Sequence, residues 1–224
     1  MREDQQSPEK HEVTMRNSTT TELYEGDMRE VCRNLSRQYQ LIVTDPPYGR
    51  SDLPLWSSLA EIASRSLLPG GFLAVLSGLQ FLNEVLARLS DSKHGLCYHW
   101  TVCIAFSGAH GRRHGLRLRT SWRPVIVMYK PPFKAPRRVM LDRFNVTAPA
   151  LATHPMEQRP AAFEPMIKAF SQAADWVLDP FAGSGAVMEA CRHLGRNVTG
   201  CELDPTAARR IGRRLRVEPA RLVC

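Results

Sequence analysis

The chain lacks long apolar runs: none of its 224 residues falls in a stretch of the ~18 that a membrane helix needs. The first residues are polar and hold no apolar core like that of a secretory leader. No membrane partner and a cytoplasmic location are therefore expected. Cys32, Cys97, Cys103, Cys191, Cys201 and Cys224 show no paired zinc spacing and are expected to be reduced thiols, several of them buried. His110, His114 and His154 do not form a metal set, and no metal is expected. No internal repeat is present, which excludes solenoids and propellers.

What is present suits one packed domain. The apolar fraction of 43% can build a core. The length fits one domain, 21–224, behind a polar tail, 1–20, that is expected to be disordered. The net charge of +8 suits a polyanionic partner.

The most informative run is Asp45-Pro46-Pro47-Tyr48, directly after the apolar Leu41-Ile42-Val43. A short apolar run ending in a turn is a buried parallel strand delivering its last residues to the sheet's carboxyl edge. In open α/β sheets ligands bind at that edge. An amino group on a nucleobase is a poor nucleophile, because its lone pair is delocalised into the ring. The Asp45 carboxylate and the Pro46 carbonyl can each accept a hydrogen bond from such an amine. Two acceptors placed for a tetrahedral nitrogen favour the transition state over the planar ground state. Proline removes a competing donor and stiffens the turn. Tyr48 offers a face on which a base stacks, worth roughly 1–3 kcal/mol. Alone, the run also reads as a plain strand-ending turn, the less favoured of the two readings.

A second motif narrows the choice. Trp176-Val177-Leu178 is another short strand, running into Asp179-Pro180-Phe181-Ala182-Gly183-Ser184-Gly185 and then a helical stretch from Ala186 to Leu194. Glycines there allow positive φ and close approach of a ligand to the backbone. The next strand, Val198 to Cys201, ends at Glu202, placed to hold ribose hydroxyls. Alone, such a loop is an ordinary strand-to-helix turn. It lacks the full dinucleotide fingerprint and the phosphate-loop lysine, which disfavours NAD and ATP. Paired with Glu202 it suits a nucleoside cofactor without a pyrophosphate, and S-adenosylmethionine fits.

With these two motifs the chain, from about Thr21 to Arg214, resembles the DNA amino-methyltransferases, which methylate exocyclic nitrogens of adenine or cytosine. Asp45 to Tyr48 is similar to their catalytic motif and Asp179 to Gly185 to their cofactor loop. His154-Pro155 with Gln158, Arg159 and Pro160 resembles the motif at the cofactor's methionine end, and Gly26-Asp27 the position contacting its adenine. Ala186 stands where the family often has threonine. The catalytic motif precedes the cofactor loop, as in the β-type, circularly permuted members. RNA guanine methyltransferases carry the same catalytic run but the opposite order. The resemblance implies a three-layer α/β/α Rossmann-like S-adenosylmethionine-dependent methyltransferase fold, with a mostly parallel sheet and an antiparallel edge hairpin. It implies a flipped target base in double-stranded DNA, direct transfer without a covalent enzyme intermediate, a place in restriction-modification, and the prokaryotic cytosol or nucleoid. Members often form homodimers. Asp at the first motif position favours adenine N6 over cytosine N4. The rivals are an RNA base methyltransferase and a DNA-binding protein that keeps the fold without turnover.

Between the motifs, Asp27 to Glu30 is expected to cap a helix, and Leu55, Leu59 and Ile62 mark an amphipathic one. Pro69-Gly70-Gly71 is expected to end that helix before a strand from Phe72 to Leu76. Phe81, Leu82, Val85, Leu86 and Leu89 mark another helix. Tyr98 to Phe106 and Pro124 to Tyr129 form the expected antiparallel pair. Pro165 is expected to kink or delay a helix from Pro160 to Phe170, and Asp204-Pro205 to open the last helix. The loop joining the antiparallel pair carries Arg112, Arg113, Arg117, Arg119 and Arg123, candidates for DNA phosphate contact. Lys130, Lys134, Arg137 and Arg138 form a second basic cluster. Arg209, Arg210, Arg213, Arg214 and Arg216 are expected to solvate the outer face of a helix.

Overall fold

The computed structural model describes residues 19–107, 111–113, 117–136, 138–147 and 160–221. Strands β1 (Thr21–Glu25), β2 (Tyr39–Thr44) and β3 (Leu67–Leu76) alternate with helices α1 (Met28–Asn34), α2 (Leu53–Ser66) and α3 (Leu82–Leu89). Four strands follow along the chain: β4 (Cys97–Ser107), the short β5 (Gly111–Arg113) and β6 (Leu118–Thr120), and β7 (Trp122–Tyr129). The remaining elements are β8 (Arg143–Thr147), α4 (Glu164–Phe170), β9 (Trp176–Asp179), α5 (Ala186–His193), β10 (Asn197–Glu202) and α6 (Pro205–Leu215). The main sheet runs β1-β10-β9-β2-β3-β7-β4-β8. All neighbours pair in parallel except β7, which is antiparallel to both β3 and β4.

The strands alternate between two cores, as period-2 side chains must in a sheet covered on both faces. Phe72, Ala74 and Leu76 of β3, with Val125 and Val127 of β7, face α4, α5 and α6. Leu73 and Val75, with Ile126 and Met128, face α1, α2 and α3. This is the expected three-layer arrangement. The expected antiparallel pair, β4 and β7, is present too. It lies one strand in from the edge, because β8 adds in parallel outside β4.

Local chemistry sets most element ends. Asp27 caps α1 by accepting from the Arg29 amide at 2.8 Å. Asp204 caps α6 by accepting from the Thr206 amide at 2.9 Å, with Pro205 following. Each cap satisfies an amide that a helix leaves open. Pro165 sits in the first turn of α4, where its missing donor costs nothing, so the regular helix begins only at Glu164.

One boundary differs from expectation. Pro69-Gly70-Gly71 does not precede β3 but lies inside it. Leu67 pairs with Tyr39 and Phe72 with Leu41, so the proline and glycines occupy a bulge between two registered pairs. Gly70 has φ +82°, and Lys134 packs where a side chain would stand. The polar tail falls mostly outside the described residues. Thr20 is within them, and its amide donates to Asn197 Oδ1 at 2.8 Å. No helix among the described residues is long and apolar enough to cross a membrane.

Leu73 is fully enclosed at the centre of the sheet, whereas Leu118 of β6 is 59% exposed. Leu73→Ala is expected to cost about 2–5 kcal/mol in urea unfolding, and Leu118→Ala less than about 0.5 kcal/mol. Equal losses would contradict this placement of the core.

Candidate active site

The catalytic run and the cofactor-type loop, 134 residues apart at Asp45 and Asp179, leave adjacent parallel strands. Leu41 pairs with Val177 and Ile42 with Leu178. Both turns therefore emerge side by side at the carboxyl edge. One residue before the run, the Thr44 hydroxyl donates to Asp179 Oδ1 at 2.7 Å. The Phe181 amide is shared between Thr44 Oγ1 at 3.2 Å and Asp179 Oδ1 at 3.3 Å. These bonds join the roots of the two turns. Thr44 was not marked by the sequence reading, although a polar residue closing an apolar strand was the available clue.

Beyond that root the run opens outward. Pro46 is buried, Asp45 and Tyr48 are half-buried and Pro47 is exposed. Gly78, just past β3, lies under Tyr48: a Cβ there would stand 3.3 Å from Tyr48 Cγ. Glycine thus allows the ring to lie close against the next strand's end.

The loop after β9 is shaped by its glycines. Gly183 and Gly185 adopt φ +54° and +78°, a conformation that L side chains disfavour. Gly183 also faces open space on its Cβ side, with only the Phe181 carbonyl oxygen at 3.8 Å. Its amide donates to Glu202 Oε2 at 2.6 Å, and the Asp204 amide to Glu202 Oε1 at 2.8 Å. The Ala182 amide donates to the Cys201 carbonyl at 2.8 Å. Pro180 and Ala182 are buried, while Phe181 and Ser184 are half-exposed. Arg214 donates to the Ser184 carbonyl and lies 3.6 Å from Glu189. Exposed as expected of the helix's outer face, it also contacts the loop. Helix α6 brings Arg214 onto the loop while leaving it exposed, as Arg209, Arg210 and Arg213 are.

Asp27 reaches the same edge, because the Gly26 amide donates to the Glu202 carbonyl at 2.9 Å. Its carboxylate holds Arg29 through two side-chain bonds, of 2.9 and 2.5 Å. The Arg29 hydrogen bond lowers its pKa. Gln158 and Arg159, with His154 and Pro155, lie outside the described residues.

The basic loop also rises from this edge. Strand β4 runs parallel to β3 and ends there, and β7 starts there. Between them β5 and β6 pair as a two-stranded arm, with Arg112 opposite Arg119 in register. Arg117 and Arg119 are exposed. Arg123 lies in β7 itself, its guanidinium carbon 5.5 Å from the Tyr48 ring centre. The second cluster is elsewhere. Antiparallel β7 carries the chain to the opposite edge, where Lys130 donates to the Leu67 carbonyl at 2.8 Å, at the start of β3. Lys130 and Lys134 are therefore remote from the catalytic run. Among the described residues no three His, Cys, Asp or Glu side chains gather as metal ligands would.

Burial raises the pKa of Asp179 to about 7, against the hydrogen bonds from Thr44 and Phe181, and Glu202 adds to the rise. Burial also raises Glu202, against the Asp204 and Gly183 amides. The loop thus exposes backbone beside the buried Asp179 carboxyl and the half-buried Glu202 carboxyl.

A family model described as DNA methylase matches residues 112–212. The type II methyltransferase M.HpaI of Haemophilus parainfluenzae is 23% identical over 227 residues, covering 80% of this chain and 71% of that protein. The M1.HpyAVI–SAM complex superposes with a TM-score of 0.75 at 22% identity, covering 88% of this chain and all of the other. The cytosine-N4-specific PvuII DNA methyltransferase gives 0.73 at 16% identity, covering 87% and 86%.

A raised carboxyl pKa favours folding while the proton is bound. The Asp179 contribution is complete below the unfolded value near pH 4 and is lost as pH climbs to about 7. Relative to Asp179→Asn, the wild-type chain should lose up to about 1.4 kcal/mol of unfolding free energy per pH unit across that window. Urea titrations at several pH values measure this, and parallel curves would contradict it. The family model over residues 112–212, the curated relative and the shared fold together make the chain similar to DNA methylases.

Proposed function

We propose that the chain transfers a methyl group from S-adenosylmethionine to the exocyclic amine of a base flipped from double-stranded DNA, adenine N6 before cytosine N4. The adjacency of the two turns supports this reading: Asp45 to Tyr48 leaves β2 and Asp179 to Gly185 leaves β9, paired strands of one sheet. An acceptor pair for an amine and a cradle for a nucleoside then face one space. Bringing two reactants together this way lowers the entropic barrier to their encounter.

Asp45 and the Pro46 carbonyl accept the two amine hydrogens and hold the nitrogen's lone pair out of the ring plane. Buried Pro46 fixes the direction of that carbonyl. Tyr48, backed by Gly78, stacks on the base. S-adenosylmethionine supplies an activated methyl carbon on a sulfonium. The open backbone of Gly183 admits it, Glu202 accepts from its ribose hydroxyls, and Asp27 lies toward its adenine. Gln158 and Arg159 are assigned to its methionine end. Arg112, Arg113, Arg117 and Arg119 grip duplex phosphates.

Asp at the head of the run favours adenine. The cytosine alternative has an observation of its own, the shared fold with a cytosine-N4-specific enzyme.

Asp45→Ala is expected to lower methyl transfer at least 100-fold, with S-adenosylmethionine affinity by calorimetry unchanged. Glu202→Ala should do the reverse first, weakening the cofactor roughly tenfold through lost ribose contacts. An Asp45→Ala enzyme that keeps its rate would sink the role given to Asp45.

A further inference from the structure

Arg123 differs from the other basic residues of this edge. Its guanidinium carbon lies 5.5 Å from the Tyr48 ring centre and 5.6 Å from that of Phe106. Two rings at that range hold a cation in place. Strand β7 holds its backbone, with Arg123 registered against Ile104 of β4. Nη1 is closed off from solvent and, among the described residues, has no hydrogen-bond partner. A buried donor left unmade costs free energy, and such a group calls for an explanation. Arg117 and Arg119, by contrast, are exposed on the arm.

Resting on the assignment of Tyr48 as the stacking surface, we propose that Arg123 grips the phosphodiester of the flipped nucleotide itself. The base that reaches Tyr48 draws its own phosphates to the mouth of the same slot. Parting Tyr48 and Phe106 to admit the nucleotide gives Nη1 an acceptor. Charge selects the phosphate over the base edge. The amine nitrogen becomes positive as it bonds to the methyl carbon and before it sheds its proton. A guanidinium hydrogen-bonded beside that amine would oppose the change. A phosphodiester brings the negative charge that neutralises Arg123, and its two free oxygens match the guanidinium fork. Arg123 is thus a positioning residue for the target nucleotide, and the exposed arginines serve the outer duplex.

The test first locates the methylated base by sequencing DNA treated with the full chain. Duplexes carrying that site are then made with a neutral methylphosphonate at each phosphate flanking the target. Wild type, Arg123→Gln and Arg123→Lys are compared on all of them. Arg123→Gln should raise KM for DNA about tenfold or more, with cofactor affinity unchanged. The salt dependence of DNA affinity should lose about one unit of slope, and Arg123→Lys should recover part of both. One methylphosphonate should cost the wild type a similar factor and cost Arg123→Gln nothing. Penalties that multiply overturn the proposal, as does a raised KM with unchanged salt slope, which would mean a base-edge contact. Loss of cofactor binding in both variants would mean a structural role and overturns it too. A wild-type chain that methylates no DNA defeats the reading of the whole site, whereas an active wild type with multiplying penalties defeats only the assignment of Arg123.

Discussion

The junction between β2 and β9 carries the rest of the structure. Two backbone registers, Leu41 with Val177 and Ile42 with Leu178, place the two halves of the sheet side by side. The Thr44 hydroxyl then ties them at Asp179. Every proposed role at the site depends on this contact, because one half carries the turn proposed to bind the amine and the other the loop proposed to hold the cofactor. The bond lies in an enclosed place, where a satisfied polar pair specifies one arrangement and an unsatisfied one is costly. It forms where the strands end, so the geometry it fixes is that of the turns.

From that junction the site widens by short steps. Glycines at 183 and 185 bend the loop back, and Glu202 closes it by accepting two amides. Arg214 braces it from α6. On the other side, Gly78 lets Tyr48 settle, and β4 and β7 deliver Phe106 and Arg123 to the same edge. In the main sheet as described, β7 is the one reversed strand. It brings its first residues to the catalytic edge and sends Lys130 to the far one.

What could be read from the sequence was local. Asp45 to Tyr48, the glycine loop, Glu202, and the Asp27 and Asp204 caps each sit within one turn of the element that positions them. For the two caps, the residue types state the roles that the structure shows. The three-layer fold followed from the resemblance that the two motifs carry. What escaped was set between distant segments. Thr44 meets Asp179 only because β2 and β9 are neighbours, and strand order is not written in chain order. Arg214 reads as one of several helix arginines until α6 is docked. Pro69-Gly70-Gly71 has the composition of a helix terminator. Tertiary pairing of Leu67 with Tyr39 overrides that preference and makes it a bulge.

The measurement that bears most directly on the account is transfer of labelled methyl from S-adenosylmethionine to unmethylated duplex DNA, followed by mass analysis of the released nucleosides. The account predicts label in N6-methyladenine, with N4-methylcytosine as the alternative product of the same site. A chain that binds the cofactor but leaves duplex DNA unlabelled, or labels only RNA, would contradict it.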